Sequence, residues 1–322
     1  MTTKNKSALT SILISFFTSA WFLGATELPP KFSEPVNLSN NPNQFDTMAA
    51  IAVDQSNRIH VAWIGTYANS AAPDGVASDV FYSCSSGSGF SDPIKITVPT
   101  GWYSRSPSIA ADSTGNAHIA FRRSTHQTSV LSADDIYYVT NATGAFSNPV
   151  LLVDGISGIL KLNEVSMPDD PIINCDGQDR LHLTFRAFGL GSGLVGSLLV
   201  YINNTAGTWT TPTLIYKGTF VTEHSACMDR DNRLHIAFTD DNKIKYTSNT
   251  GGTFAVPVLA SSSGHGNVGD PDIAIDSRGK AHIVYRAPFL AYLPEIYYVN
   301  NTSGSFSSWT PLDIDDVLHA KP

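Results

Sequence analysis

The sequence predicts an all-β chain built from five tandem units of four short antiparallel strands, and three observations carry that prediction. The hairpin-like stretch "DSTGNAHIAFR" from Asp112 recurs as "DQSNRIHVAWI" from Asp54, "DGQDRLHLTFR" from Asp176, "DRDNRLHIAFT" from Asp229 and "DSRGKAHIVYR" from Asp276. After each copy come a loop, a Tyr-bearing run such as "DIYYV" or "KIKYT", a Gly turn, and a last run opening on an aromatic, such as "GFSDPIKI" or "TFAVPVLA". The composition agrees: 42% hydrophobic, only 15% charged, with 24 glycines and 18 prolines, which suits short strands joined by many turns. Tandem units of about 50 residues with four strands each are the signature of propeller blades, so the expected fold is a five-bladed β-propeller of four-stranded antiparallel blades.

Taken in chain order, residues 1–25 come first. Lys4 and Lys6 precede an apolar run that ends on Gly24 and Ala25. This reads as a secretory signal peptide cut near Ala25, with a retained membrane anchor as the competing reading. Residues 26–322 are then expected to form one propeller domain, with repeats at roughly 40–98, 99–154, 155–217, 218–262 and 263–317. One extra fragment, "KFSEPVNLS" from Lys31, matches the fourth-strand pattern but precedes the first repeat. Either it or "SFSSWTPLDI" can serve as the outer strand of the last blade.

Within each unit the Asp and the His keep one spacing: Asp54 and His60, Asp112 and His118, Asp176 and His182, Asp229 and His235, Asp276 and His282. The Asp opens a tight turn, Gly or Asn supplies a positive-φ position, and the His begins the second strand, where a bond back to the Asp would pin the corner. A blade cannot bury both faces alone, so every blade needs the same hairpin; five repeated His residues are therefore structural, because a catalytic site needs a unique constellation. The pattern carries no metal site, and no cofactor is expected. Cys84, Cys175 and Cys227 have neither disulfide nor metal spacing and read as small apolar fillers, with Cys175 and Cys227 on opposite faces.

The repeat, with its Gly–aromatic turn, resembles the sialidase-like, Asp-box-type β-propellers. That family's turn reads S-x-D-x-G-x-T-W. The nearest copies here are "SNTGGTF" from Ser248, "NNTSGSF" from Asn300 and "NNTAGTW" from Asn203, with Thr or Ser in place of the Asp and one residue fewer. The likeness spans the chain after the leader as a repeat pattern. It implies contact with glycans in general terms.

A site must lie in what differs between blades, at the rim made by loops and strand ends. Four residues after the repeat His stand Arg122, Arg186 and Arg286; six before the repeat Asp stand Met48, Ser106, Asp170, Glu223 and Asp270. The three Arg residues would clamp a carboxylate, as the Arg triad of sialidases does. Asp170, Glu223 and Asp270 would supply the acid and base of glycoside hydrolysis. Alternatively, Arg and acid pair with each other and stiffen the ring. Trp102, Tyr103 and Tyr292 suit sugar faces or loop packing equally. The formal charge of −8, more negative still without Lys4 and Lys6, repels phosphate backbones and makes nucleic acid a poor partner. The leading expectation is a secreted or periplasmic lectin-like protein whose partner is a glycan or polysaccharide, with no membrane segment once the leader is cut. A glycan-cleaving enzyme is the alternative, and a protein-interaction module comes third. The sequence leaves the oligomeric state open.

Overall fold

A computed structural model describes residues 34–72, 75–87, 89–97, 103–124, 134–155, 166–189, 196–261, 268–289 and 293–312. The chain divides into two compact units, Met1–Asn40 and Asn41–Pro322. The described part of the first is a short turn in which Asn37 Oδ1 accepts hydrogen bonds from Ser39 Oγ at 3.3 Å and from the Asn40 amide at 3.1 Å.

The second unit is all-β among the described residues. The first repeat comprises β1 (Phe45–Val53), β2 (Ile59–Ala68), β3 (Val76–Ser86), β4 (Gly89–Phe90) and β5 (Ile94–Lys95). The second comprises β6 (Tyr103–Ala111), β7 (Ala117–Ser124), β8 (Asp135–Thr140) and β9 (Val150–Val153). The third has β10 (Ser166–Cys175), β11 (Leu181–Gly189), β12 (Gly196–Asn203) and β13 (Thr213–Gly218). The fourth has β14 (Val221–Met228), β15 (Leu234–Asp240), β16 (Lys243–Ser248) and β17 (Val258–Leu259). The fifth has β18 (Gly269–Ile275), β19 (Ala281–Phe289), β20 (Leu293–Asn300) and β21 (Thr310–Pro311). The last three repeats are separate four-stranded sheets, whereas the first two merge into one nine-stranded sheet. The merger is a single parallel pair, Ser78 with Tyr103, between β3 and β6. Within every repeat the strands pair antiparallel, in sequence order except that β4 and β5 of the first repeat both pair with β3.

The repeated hairpin has one mechanism throughout. Its Asp carboxylate accepts two turn amides: Asp54 from Ser56 and Arg58, both at 2.8 Å, and Asp112 from Thr114 at 3.0 Å and Asn116 at 2.8 Å. Asp276 holds Arg278 at 2.8 Å and Lys280 at 2.9 Å in the same way. The third residue after the Asp lies at positive φ: Asn57 at 59°, Gly115 at 81°, Asp179 at 59°, Asn232 at 61° and Gly279 at 74°. That region tolerates Gly, Asn and Asp best, which is why these types occupy the position.

The predicted His–Asp bond is present, and the sequence reading missed its third member. In the second repeat His118 Nε2 lies 3.2 Å from Asp112 and Nδ1 lies 2.7 Å from the Tyr138 hydroxyl. The same Asp–His–Tyr chain links Asp54, His60 and Tyr82; Asp176, His182 and Tyr201; and Asp229, His235 and Tyr246. In the fifth repeat His282 lies 3.6 Å from Asp276 and 2.6 Å from Tyr298. Each Tyr of the first four repeats also meets an aromatic of the following repeat edge-on: Tyr82 with Phe146, Tyr138 with Trp209, Tyr201 with Phe254 and Tyr246 with Phe306. The aromatic that opens the fourth-strand segment of the second to fifth repeats is thus an inter-repeat contact, worth about 0.5–1.5 kcal/mol beyond its buried area.

Four apolar clusters join each repeat to the next. Cys84, Cys175 and Cys227 are free thiols packed against three of these clusters. Burial pushes the Cys175 and Cys227 thiols up to about 12, so both stay protonated and inert.

Candidate functional site

The end of the sheets opposite the Asp–His turns is irregular in every repeat. The first strand slips register against the second between Thr47 and Ala50, Arg105 and Ser108, Asp169 and Ile172, Val221 and His224, and Gly269 and Asp272. Four of the slips hold a non-glycine residue at positive φ: Met48 at 53°, Ser106 at 47°, Asp170 at 46° and Asp270 at 49°. Such backbones are strained, and β-bulges at strand ends re-aim side chains. These are the positions six residues before the repeat Asp, so the interval found in the sequence marks the bulge. Glu223 occupies the same place in the fourth repeat.

Bulges of neighbouring repeats touch. Ser106 Oγ donates to Asp170 at 2.9 Å, and the Asp270 amide donates to Glu223 Oε2 at 3.1 Å. That Glu223 oxygen also accepts from Thr239 at 3.1 Å and Thr222 at 3.2 Å. The three arginines stand beside the bulges because the residue before each bulge pairs across strands with the Arg position: Arg105 with Arg122, Asp169 with Arg186, Gly269 with Arg286.

Each arginine holds a carboxylate. Arg122 spans two repeats, reaching Asp134 at 2.9 Å and Asp169 at 2.8 Å. Arg186 contacts Asp169 at 3.2 Å and Asp170 through Nε at 3.1 Å. Arg286 meets Asp270 at 2.6 Å. Burial disfavours the Arg122 cation, but Asp169 and Asp134 more than offset it and leave its pKa raised. Burial pushes Asp134 up against the pull of Arg122. Asp134 and Asp169 were missed from the sequence, where the only signal was the doubled acid "DD" at 134–135 and again at 169–170.

Below this layer His224 is buried, with Nε2 3.1 Å from Thr184 Oγ1 and Nδ1 without a hydrogen-bond partner among the described residues. Burial first, and then the Arg186 cation, push its pKa down to about 3, so it is neutral. Gly269 lies close against the bulge layer: a Cβ there would stand 3.0 Å from Glu223 and 3.2 Å from Arg286.

The structure therefore brings Asp170, Glu223 and Asp270 to one end of consecutive repeats together with Arg122, Arg186 and Arg286. Tyr103, expected at the rim, is buried instead, because β6 packs its first residue beside Ser78 of β3. Trp102 and Tyr292 lie outside the described residues. No group of three His, Cys, Asp or Glu able to hold a metal ion occurs among the described residues, and no helix there is long and apolar enough to cross a membrane.

No family model and no curated protein matches the chain. Solved structures do. A Hadza microbial sialidase superposes with a TM-score of 0.54 at 11% identity, over 83% of this chain and 58% of its own. A leech intramolecular trans-sialidase gives 0.57 at 10% identity, over 88% of this chain and 64% of its own. An ulvan lyase of polysaccharide lyase family 25 gives 0.55 at 11% identity, over 86% and 69%. The chain thus spans under two thirds of the length of the two sialidases. At such identities the likeness concerns the fold, and this chain has the sialidase-like all-β fold.

Proposed function

We propose that the chain is a secreted or periplasmic glycan-binding protein whose five repeats are consecutive blades of a propeller and whose ligand lies across the bulge end. The observation that carries this reading is the row of strained, non-glycine bulge residues, Met48, Ser106, Asp170 and Asp270, at one end of the sheets. Strain of about 1–3 kcal/mol per residue is retained where side-chain presentation matters. Arg122, Arg186 and Arg286 are each already bonded to a carboxylate, which favours a fixed polar surface for sugar hydroxyls over an open clamp for an acidic sugar. The glycan-active enzymes among the structural neighbours support a saccharide ligand.

Glycan cleavage is the second reading. It is favoured by three carboxylates, Asp170, Glu223 and Asp270, on successive repeats at one rim. A glycan array run beside chromogenic glycosides and uronic-acid polysaccharides separates the two. Binding without turnover supports the lectin-like reading, turnover lost in Glu223→Gln supports the enzyme, and silence in both assays removes the glycan altogether.

A further inference from the structure

All four internal boundaries between repeats bury the same position on the trailing face, and three of the four bury an isoleucine on the leading face, with half-buried Ala226 at the other. On the leading face, Ile109, Ile173 and Ile273 of the first strands are 7%, 3% and 6% exposed. On the trailing face, Val80, Ile136, Leu199 and Ile244, each two residues before the third-strand Tyr, are all 0% exposed. The ends of the array break this rule. Ile51, the leading-face residue of the first repeat, is 55% exposed, with Phe45 and Val53 open beside it. Ile296, the trailing-face residue of the fifth repeat, is 42% exposed, with Leu312 open beside it.

Repeat arrays that end in water carry polar outer faces on their terminal repeats. These ends instead carry the apolar residues of an internal boundary. The sequence adds a second sign. First, second and third strands occur in five copies, but the fourth-strand signature occurs in six, because Phe32-Ser33-Glu34-Pro35 repeats Phe90-Ser91-Asp92-Pro93 and Phe146-Ser147-Asn148-Pro149. One fourth-strand sequence is thus without first, second and third strands of its own.

We infer that the trailing face of the fifth repeat and the leading face of the first form a docking surface for one further antiparallel β-sheet of the same repeat type. Such a sheet presents an Ile or Val two residues before its Tyr to Ile51, and a first-strand Ile to Ile296, as three of the four internal boundaries do. It would also add its own bulge between Met48 and Asp270, the two ends of the bulge row. The docked sheet completes the rim and not merely the core, whatever the rim binds.

The test uses the full chain and a fusion that carries a further copy of residues 99–154 after residue 322. The fusion is expected to melt at a higher temperature than the chain, a gain lost in Ile51→Asp and in Ile296→Asp and kept in Val256→Asp, an exposed loop position. Both test positions are exposed, so the chain retains its fold. A gain equal in all variants overturns the inference. Absence of a gain overturns it too, with light scattering of the chain then assigning the faces: a monomer indicates that the ends close on each other, and a dimer lost in Ile51→Asp indicates a second copy.

Discussion

The two ends of the sheets are built on opposite rules. At the turn end, four repeats put the same residues into the same bonds, the fifth differs only in a longer His282–Asp276 approach, and each Asp, His and Tyr meets its counterpart within one repeat. At the bulge end the backbone irregularity is repeated but the side chains are not: Met48, Ser106, Asp170, Glu223 and Asp270 differ in size and charge and bond to neighbouring repeats. Repetition with internal bonding marks what the fold needs. Variation on a strained frame marks what is free to be used.

That contrast breaks if turn-end changes alter ligand binding or bulge-end changes alter only stability. The largest loss of stability is expected from Asp176→Ala, which removes two turn caps and the partners of Arg180 and His182; about 3–4 kcal/mol is expected by thermal melting, from several hydrogen bonds worth about 1–3 kcal/mol each. Glycan affinity per folded molecule should not move. Next comes Arg122→Ala, which leaves Asp134 and Asp169 of two repeats without their cation; about 2–3 kcal/mol is expected because both pairs are largely shielded from water. A smaller change, paired with a clear loss of glycan binding, would move Arg122 from brace to ligand contact.

His118→Ala or His182→Ala should cost about 1–3 kcal/mol, since a buried Asp and Tyr each lose a partner, again with binding intact. The same residues set an acid limit. Burial, opposed by the adjacent Asp, leaves His118, His182 and His235 below the ordinary value, and His224 is pushed down to about 3. The unfolded chain therefore takes up protons below about pH 6.5 that the folded chain refuses. Stability is full above that pH and falls as the pH drops through each folded-state value, towards 3 for His224. Melting temperatures that stayed flat from pH 7 to pH 4 would contradict the neutral buried imidazoles.

The smallest effect is expected from Arg286→Ala, whose exposed pair with Asp270 is worth less than about 1 kcal/mol. Its loss should be visible mainly in binding, by titration calorimetry. If Arg286→Ala unfolds the chain as readily as Arg122→Ala, the bulge end is structural as well.

The turn end was legible because its physics is local. An Asp two and four residues from the amides it caps, a Gly or Asn at positive φ, and a His at fixed spacing all act within one hairpin, so they leave a pattern in the string. The bulge end was half legible. The interval to the repeat Asp located Asp170, Glu223 and Asp270, but Asp134 and Asp169 were invisible because their partner Arg122 reaches them through space, the second across a repeat boundary. Tyr103 read as a rim aromatic and is a core residue, since its burial depends on β3 lying beside β6.

By itself, then, the sequence determined the all-β class, the five hairpins, their Asp–His corners and the residues offered at the rim, because each follows from turn chemistry and strand alternation over a few residues. Only the tertiary structure decided that the first two repeats share a sheet, that Arg122, Arg186 and Arg286 are each bonded to an acid, and that Ile51 and Ile296 stand uncovered. Those outcomes depend on which repeat lies beside which, and stacking between near-identical units is a through-space matter that repetition in the chain does not specify.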